Sequence, residues 1–255
     1  MILETILANW YIILLFFAVA ILYASVGFGG GSSYLAILAL TGVAFTQIRA
    51  TALLCNIVVV SGNVFLYYQH KKIEVKKIAP LVLTSIPLAY VGGFLKISQQ
   101  FFFILLGITL LFAAISMWIS KRIVSSKEHI KKQNLAKNAS FGGIIGFVSG
   151  MVGIGGGIFL APLLHLTNWN TPKKIAATAS FFILVNSISG LLGQYSNPDF
   201  YIDWNLTSAL LITVFIGGQI GNRLSNTYFT PIQLKKATAI LIAFVSIRIL
   251  MKYLL

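Results

Sequence analysis

GFGGGSSYLAILAL, residues Gly27 to Leu40, and GIGGGIFLAPLLHL, residues Gly153 to Leu166, decide how this chain is read. Each places four glycines in five positions inside an otherwise apolar stretch, Ile6 to Thr41 in one case and Phe141 to Thr167 in the other. Glycine is the poorest helix former after proline, so a helix should break at both clusters. The pieces that follow, Ser32 to Thr41 and Ile158 to Thr167, rise about 15 Å each, half of a hydrocarbon core. The spacing predicts two half-helices, or legs of two re-entrant hairpins.

The surroundings of these clusters belong in a bilayer. Of 255 residues, 58% are hydrophobic and only 9% charged, against roughly 25% charged in an ordinary soluble domain. Six stretches are long and apolar enough to be read as spanning helices: Gln47 to Tyr68, Ile78 to Leu95, Phe101 to Ile119, Ile175 to Tyr195, Leu206 to Ile220 and Ile232 to Leu250. The first apolar segment does not read as a cleaved signal peptide, because no Lys or Arg precedes Arg49 and no small-x-small site closes the run. It is expected to be membrane segment.

The two clusters also mark an internal repeat. Gly27 and Gly153 lie 126 positions apart, and later landmarks keep nearly that offset. Ala50-Thr51-Ala52 matches Ala177-Thr178-Ala179, Ser61-Gly62 matches Ser189-Gly190, and Glu74 matches Asp203. The expected fold is all-α and membrane-embedded, with a first repeat over residues 1–120, a polar cytoplasmic linker over 121–138 and a second repeat over 139–255. Each repeat is a glycine-broken re-entrant hairpin followed by three transmembrane helices.

Charge then fixes a topology. If each hairpin returns to its own side, each half crosses three times and the second half is inverted. Of 19 basic residues, only Arg49, Lys96, Arg248 and Lys252 then lie outside, leaving 15 on the cytoplasmic face, as the positive-inside rule requires. Four crossings per half would divide the basic residues almost evenly. The inverted arrangement, with both termini outside, is the expectation. Because the basic loops are short and close to the membrane, orientation and lipid headgroups explain the net charge of +14. Nucleic acid is not an expected partner; membrane lipid is.

The chemistry is expected at the clusters. Each half-helix begins with unbonded backbone N–H groups and the positive end of a helix dipole. Two such ends converging from opposite faces suit an anion, since glycine lets the backbone come close. The expected substrate-binding residues are Gly27, Gly29, Gly30, Gly31, Ser32 and Ser33 from the first cluster with Thr51 and Asn56 on the following helix. Gly153, Gly155, Gly156 and Gly157 are their counterparts, with Thr178 and Asn186. Arg49, at the outer start of a span, reads as an interfacial anchor, with attraction of anions at the entrance as the alternative. Cys55 reads as a packing residue.

Much is excluded. No acidic residue lies within a clear span, so a carboxylate proton relay is not expected. The three histidines, His70, His129 and His165, are scattered, and no nucleophile with a base or metal-spaced cluster can be assembled. The chain is expected to be neither an enzyme nor a cofactor protein. Gly27 to Ser32 is not a nucleotide loop, because no lysine follows.

The two copies of the glycine motif, each followed about twenty residues later by an Ala-Thr pair, as in ATALLCN at Ala50 to Asn56 and ATASFFILVNS at Ala177 to Ser187, resemble the sulfite exporter TauE/SafE family of membrane permeases. The resemblance covers the whole chain. It implies a bacterial inner-membrane permease for small sulfur-containing or carboxylated anions, such as sulfite, sulfonates or sulfoacetate. One departure is Ala36 in the first copy where the second has Pro162. A non-transporting membrane scaffold or assembly factor, whose glycines serve packing alone, and an anion channel remain the alternatives.

Overall fold

Both glycine clusters do the same thing to the backbone. In the computed structural model, Gly27 and Gly153 adopt left-handed φ values of 83° and 88°. The next residue in each case, Phe28 or Ile154, donates its N–H five residues back, to the carbonyl of Tyr23 or Ser149. This is the left-handed helix stop that only glycine adopts without strain. Three residues later Gly30 and Gly156 turn left-handed again, at φ 85° and 83°, and each caps the start of a short helix. The predicted breaks and half-helices are both present.

The structure describes residue 4 and residues 7–25, 27–119, 134–167, 169–198, 200–224 and 231–254. Within them the regular elements are all helices: α1 Trp10–Ser25, α2 Gly31–Ala39, α3 Phe45–Gln69, α4 Val75–Phe94, α5 Gln99–Ile119, α6 Leu135–Val152, α7 Gly157–Leu166, α8 Pro172–Tyr195, α9 Trp204–Leu224 and α10 Pro231–Leu254. Among the described residues, six stretches are long and apolar enough to cross a membrane, namely α3, α4, α5 (over Gln99–Ser116), α6, α8 and α9. Five coincide with spans read from the sequence. The expected C-terminal span, Ile232 to Leu250, lies within the helix α10, and α6 is the sixth, beginning earlier than its apolar run suggests. Asn134 caps it by accepting from the Lys137 N–H, so residues 135–138 of the expected linker are helical. Residues 121–133 of that linker lie outside the described residues.

Packing pairs the halves crosswise. Helix α6 lies against α4 and α1 against α9, while α3 meets α8 and α5 meets α10. Exchanging α1–α5 with α6–α10 leaves this set of partners unchanged. Glycine makes the crosswise contacts possible. Gly142, Gly146 and Gly150, one turn apart on α6, sit so close to α4 that a Cβ on any of them would strike the carbonyl oxygen of Leu81, Ser85 or Ala89. Gly217 and Gly221 of α9 do the same against Phe17 and Ile21 of α1.

Polarity is arranged inside out. Leu83, Phe112, Ile212 and Phe244 are exposed at 53% or more, whereas Asn56, Ser180, Asn186 and Ser187 are wholly buried. Polar side chains in lipid-embedded proteins face the interior for the same reason. At one end of the bundle the residues after α3 meet the start of α8: Glu74 pairs with Lys174, and also with Lys77 at 2.7 Å. At the other end Tyr90 donates to Ser196 at 3.0 Å, and Asn197 donates to the Phe94 carbonyl at 3.2 Å.

Candidate functional site

The two glycine turns meet at Asn56. This residue lies near the middle of α3, which brings its amide beneath both turns. Its Nδ2 donates to the Ile154 carbonyl of the second turn at 2.9 Å. A Cβ on Gly155 would lie 2.8 Å from Asn56 Nδ2 and 2.8 Å from Ser187 Oγ. On the first turn, Cβ atoms at Gly29 and Gly31 would both collide with the Asn56 amide, and one at Gly31 would come within 2.8 Å of the Ile154 oxygen. Gly29 and Gly31 are therefore required by closeness, and Gly155 by closeness and by its left-handed φ of 83°.

The short helices start at this junction. Ser33 and Tyr34 N–H groups close on Gly30 O, and Phe159 and Leu160 N–H groups on Gly156 O. Those are the first bonds within α2 and α7, so the amides of Gly31 and Ser32, and of Gly157 and Ile158, precede the helices' own bonding. Buried oxygens without a partner among the described residues lie around them: Asn56 Oδ1, Ser187 Oγ beside Gly155, and Ser149 Oγ beside Gly156. The arrangement offers backbone donors, two rotatable hydroxyls and one amide. Among the described residues no group of three or more His, Cys, Asp or Glu is placed to hold a metal ion.

The other residues expected at the site have separate partners. The Ser180 hydroxyl donates to Gly27 O, and Asn63 reaches Phe28 O at 3.4 Å, tying the first turn to both long helices. Ser33 Oγ shares a 2.9 Å hydrogen bond with Tyr23 on α1, and Ser32 is buried beside it in sequence. Thr51 shares one of 3.0 Å with Thr207 on α9. Asn186 donates to Ser85 on α4 and to Phe182 O. Thr178 is buried on α8, and Gly157 packs against Ile183. The structure thus brings Gly29, Gly31, Asn56 and Gly155 together, whereas Thr51 and Asn186 bind neighbouring helices.

Arg49 corrects the sequence reading. It is 5% exposed, with Nη2 donating to Gly93 O and Gly150 O at 3.3 Å each. No snorkelling interfacial anchor is buried in this way. Its place near the start of a span suggested the interface, but α4 and α6 close over it. The Ile154 carbonyl and Ser149 are further members of the site; a backbone acceptor leaves no mark in sequence.

Comparison with known proteins agrees with this architecture. The chain is 30% identical over 241 residues to the "Probable membrane transporter protein y4hK" of Sinorhizobium fredii, covering 92% of this chain and 95% of that protein. It is also 30% identical over 144 residues to a probable membrane transporter protein of Methanocaldococcus jannaschii, covering 55% and 53% of the two chains. No solved structure matches it. The family described as sulfite exporter TauE/SafE matches over residues 12–249, and with both glycine turns, both short helices and nearly all described helices inside that range, the chain belongs to this family of multi-pass membrane transporters.

Proposed function

We propose that this protein is an alternating-access permease for small anions of the sulfite, sulfonate or sulfoacetate type, working in the bacterial inner membrane with both termini outside. The observation that carries this reading is the meeting of the two glycine turns at Asn56. Four leading amides of two short helices start at that junction, and backbone amides at helix starts bind anionic oxygens. Ser187 and Ser149 add hydroxyls that can rotate to donate.

The contacts at the bundle ends support an inverted repeat. The Glu74–Lys174 pair puts the loop after α3 and the loop before α8 on one face, which is where the three-crossing arrangement places Lys71 to Lys77 and Lys173 to Lys174. Inverted repeats with broken helices that meet at the substrate are a common transporter design, and access alternates by rocking one part against another. Under an inside-negative potential, anion exit gains about 2.3 kcal/mol per charge per 100 mV, so export needs no coupling ion.

Flux into proteoliposomes loaded with the purified protein tests the proposal, with sulfite, methanesulfonate, sulfoacetate and acetate as probes. Saturable flux of at least one sulfur oxyanion is expected. No flux for any probe sinks the permease reading, and flux that never saturates replaces the carrier with a channel.

A further inference from the structure

Arg49 is a buried cation without a counter-ion. It makes no ion pair among the described residues, its Nε is buried with no acceptor, and its two hydrogen bonds, at 3.3 Å, exceed the usual 2.7–3.2 Å range. A guanidinium has five donors suited to a planar oxyanion, and here Nη2 alone is engaged. Leaving a full charge buried among neutral carbonyls is costly unless something else meets it.

Its position says what that is. Arg49 and Asn56 are seven residues apart on α3, two turns or about 10 Å along one face. Both face the second glycine turn: a Cβ on Gly153 would come within 3.1 Å of the Arg49 backbone, and Asn56 holds the next residue, Ile154. The guanidinium itself bonds Gly150 O in the last turn of α6, directly before the turn that contributes amides to the site.

We propose that Arg49 supplies the positive charge that meets the transported anion at the second glycine turn, making it a binding and charge-selecting residue. This rests on the permease reading above and deepens it. The backbone amides recognise oxygen atoms, whereas Arg49 distinguishes an anion from a neutral polar solute.

The test uses the full-length protein in proteoliposomes, with sulfite and methanesulfonate as probes, comparing wild type, Arg49→Gln and Arg49→Lys. The expected result is a KM raised about thirtyfold or more in Arg49→Gln, as loss of a charge-assisted contact implies, with partial recovery in Arg49→Lys. Ligand-free melting in detergent identifies a variant that fails to fold, in which case the Arg49→Lys KM decides. A retained charge without the planar fork should still give a several-fold rise. If folded Arg49→Gln, or Arg49→Lys standing in for it, keeps KM within twofold of wild type, Arg49 only staples α4 to α6 and the inference falls while the permease stands. If wild type carries neither probe nor any other anion tested, the permease reading falls and takes this inference with it.

Discussion

The Ser187 hydroxyl is fully buried and has no hydrogen-bond partner among the described residues, so removing it deletes no contact seen there. Ser187→Ala should leave the melting temperature unchanged or slightly higher, since an unsatisfied polar group is itself unfavourable. If the hydroxyl serves substrate, KM for sulfite should rise about two- to tenfold, the worth of one neutral hydrogen bond. Flux kinetics beside a melting curve separate the two effects, and an unchanged KM removes Ser187 from the site. Among the glycines, Gly30 and Gly156 are poor probes, because left-handed φ values strain any replacement. Gly31 has ordinary φ, and a Cβ there meets Asn56 and the Ile154 carbonyl. Gly31→Ala should therefore abolish flux by forcing the two turns apart, at a stability cost of about 1–3 kcal/mol. Gly42→Ala is the control: φ is 75° with nothing within 4 Å, so it should cost about 1 kcal/mol of backbone strain and leave flux intact.

At the level of elements, α6 depends on its glycine stripe. Gly146→Leu would drive a side chain into Ser85 of α4, and it should reduce the yield of monodisperse protein in size-exclusion chromatography far more than Gly42→Ala does. The ion pair between the α3–α4 loop and α8 makes a smaller, pH-dependent contribution. Hydrogen bonds from Lys174 and then Lys77 hold the Glu74 carboxyl down at about 2. A depressed carboxyl stabilises the folded state above its ordinary value near 4.5 and loses that contribution as pH falls toward 2. Glu74→Gln should therefore melt slightly lower than wild type at pH 7, by under about 1 kcal/mol because the pair is partly exposed. The gap should narrow from pH 4.5 downward; a gap constant with pH would show that the pair adds nothing. The helix breaks were legible because glycine's conformational freedom is local. The start of α6 was not, since Lys137, Asn138 and Ser140 interrupt the apolar run although Asn134 caps the helix. The crosswise pairing of α6 with α4 was hidden as well, being a tertiary contact between backbones. Asn56 could be found as an amide inside a span, but its acceptor, a main-chain carbonyl, could not.

For the whole molecule, the decisive question is which loops share a face. Three crossings per half put Lys76 and Lys173 on the same side and Lys252 on the other, whereas four crossings separate Lys76 from Lys173. The pairing of Glu74 with Lys174 favours the first arrangement, and so does the charge balance, which then gathers 15 of 19 basic residues on one face. Cysteine labelling can decide directly, because the native Cys55 is buried and free and should stay silent. Lys76, Lys173 and Lys252 are all exposed, so Lys76→Cys, Lys173→Cys and Lys252→Cys give three reporters for a membrane-impermeant maleimide. In intact cells Lys252→Cys should react and the other two should not; in inverted vesicles the pattern should reverse. Reaction of Lys76→Cys and Lys173→Cys from opposite sides would overturn the inverted repeat. It would also remove the reason for two short helices to approach Asn56 from opposite faces, since each broken region would then cross once, in the same direction in both halves.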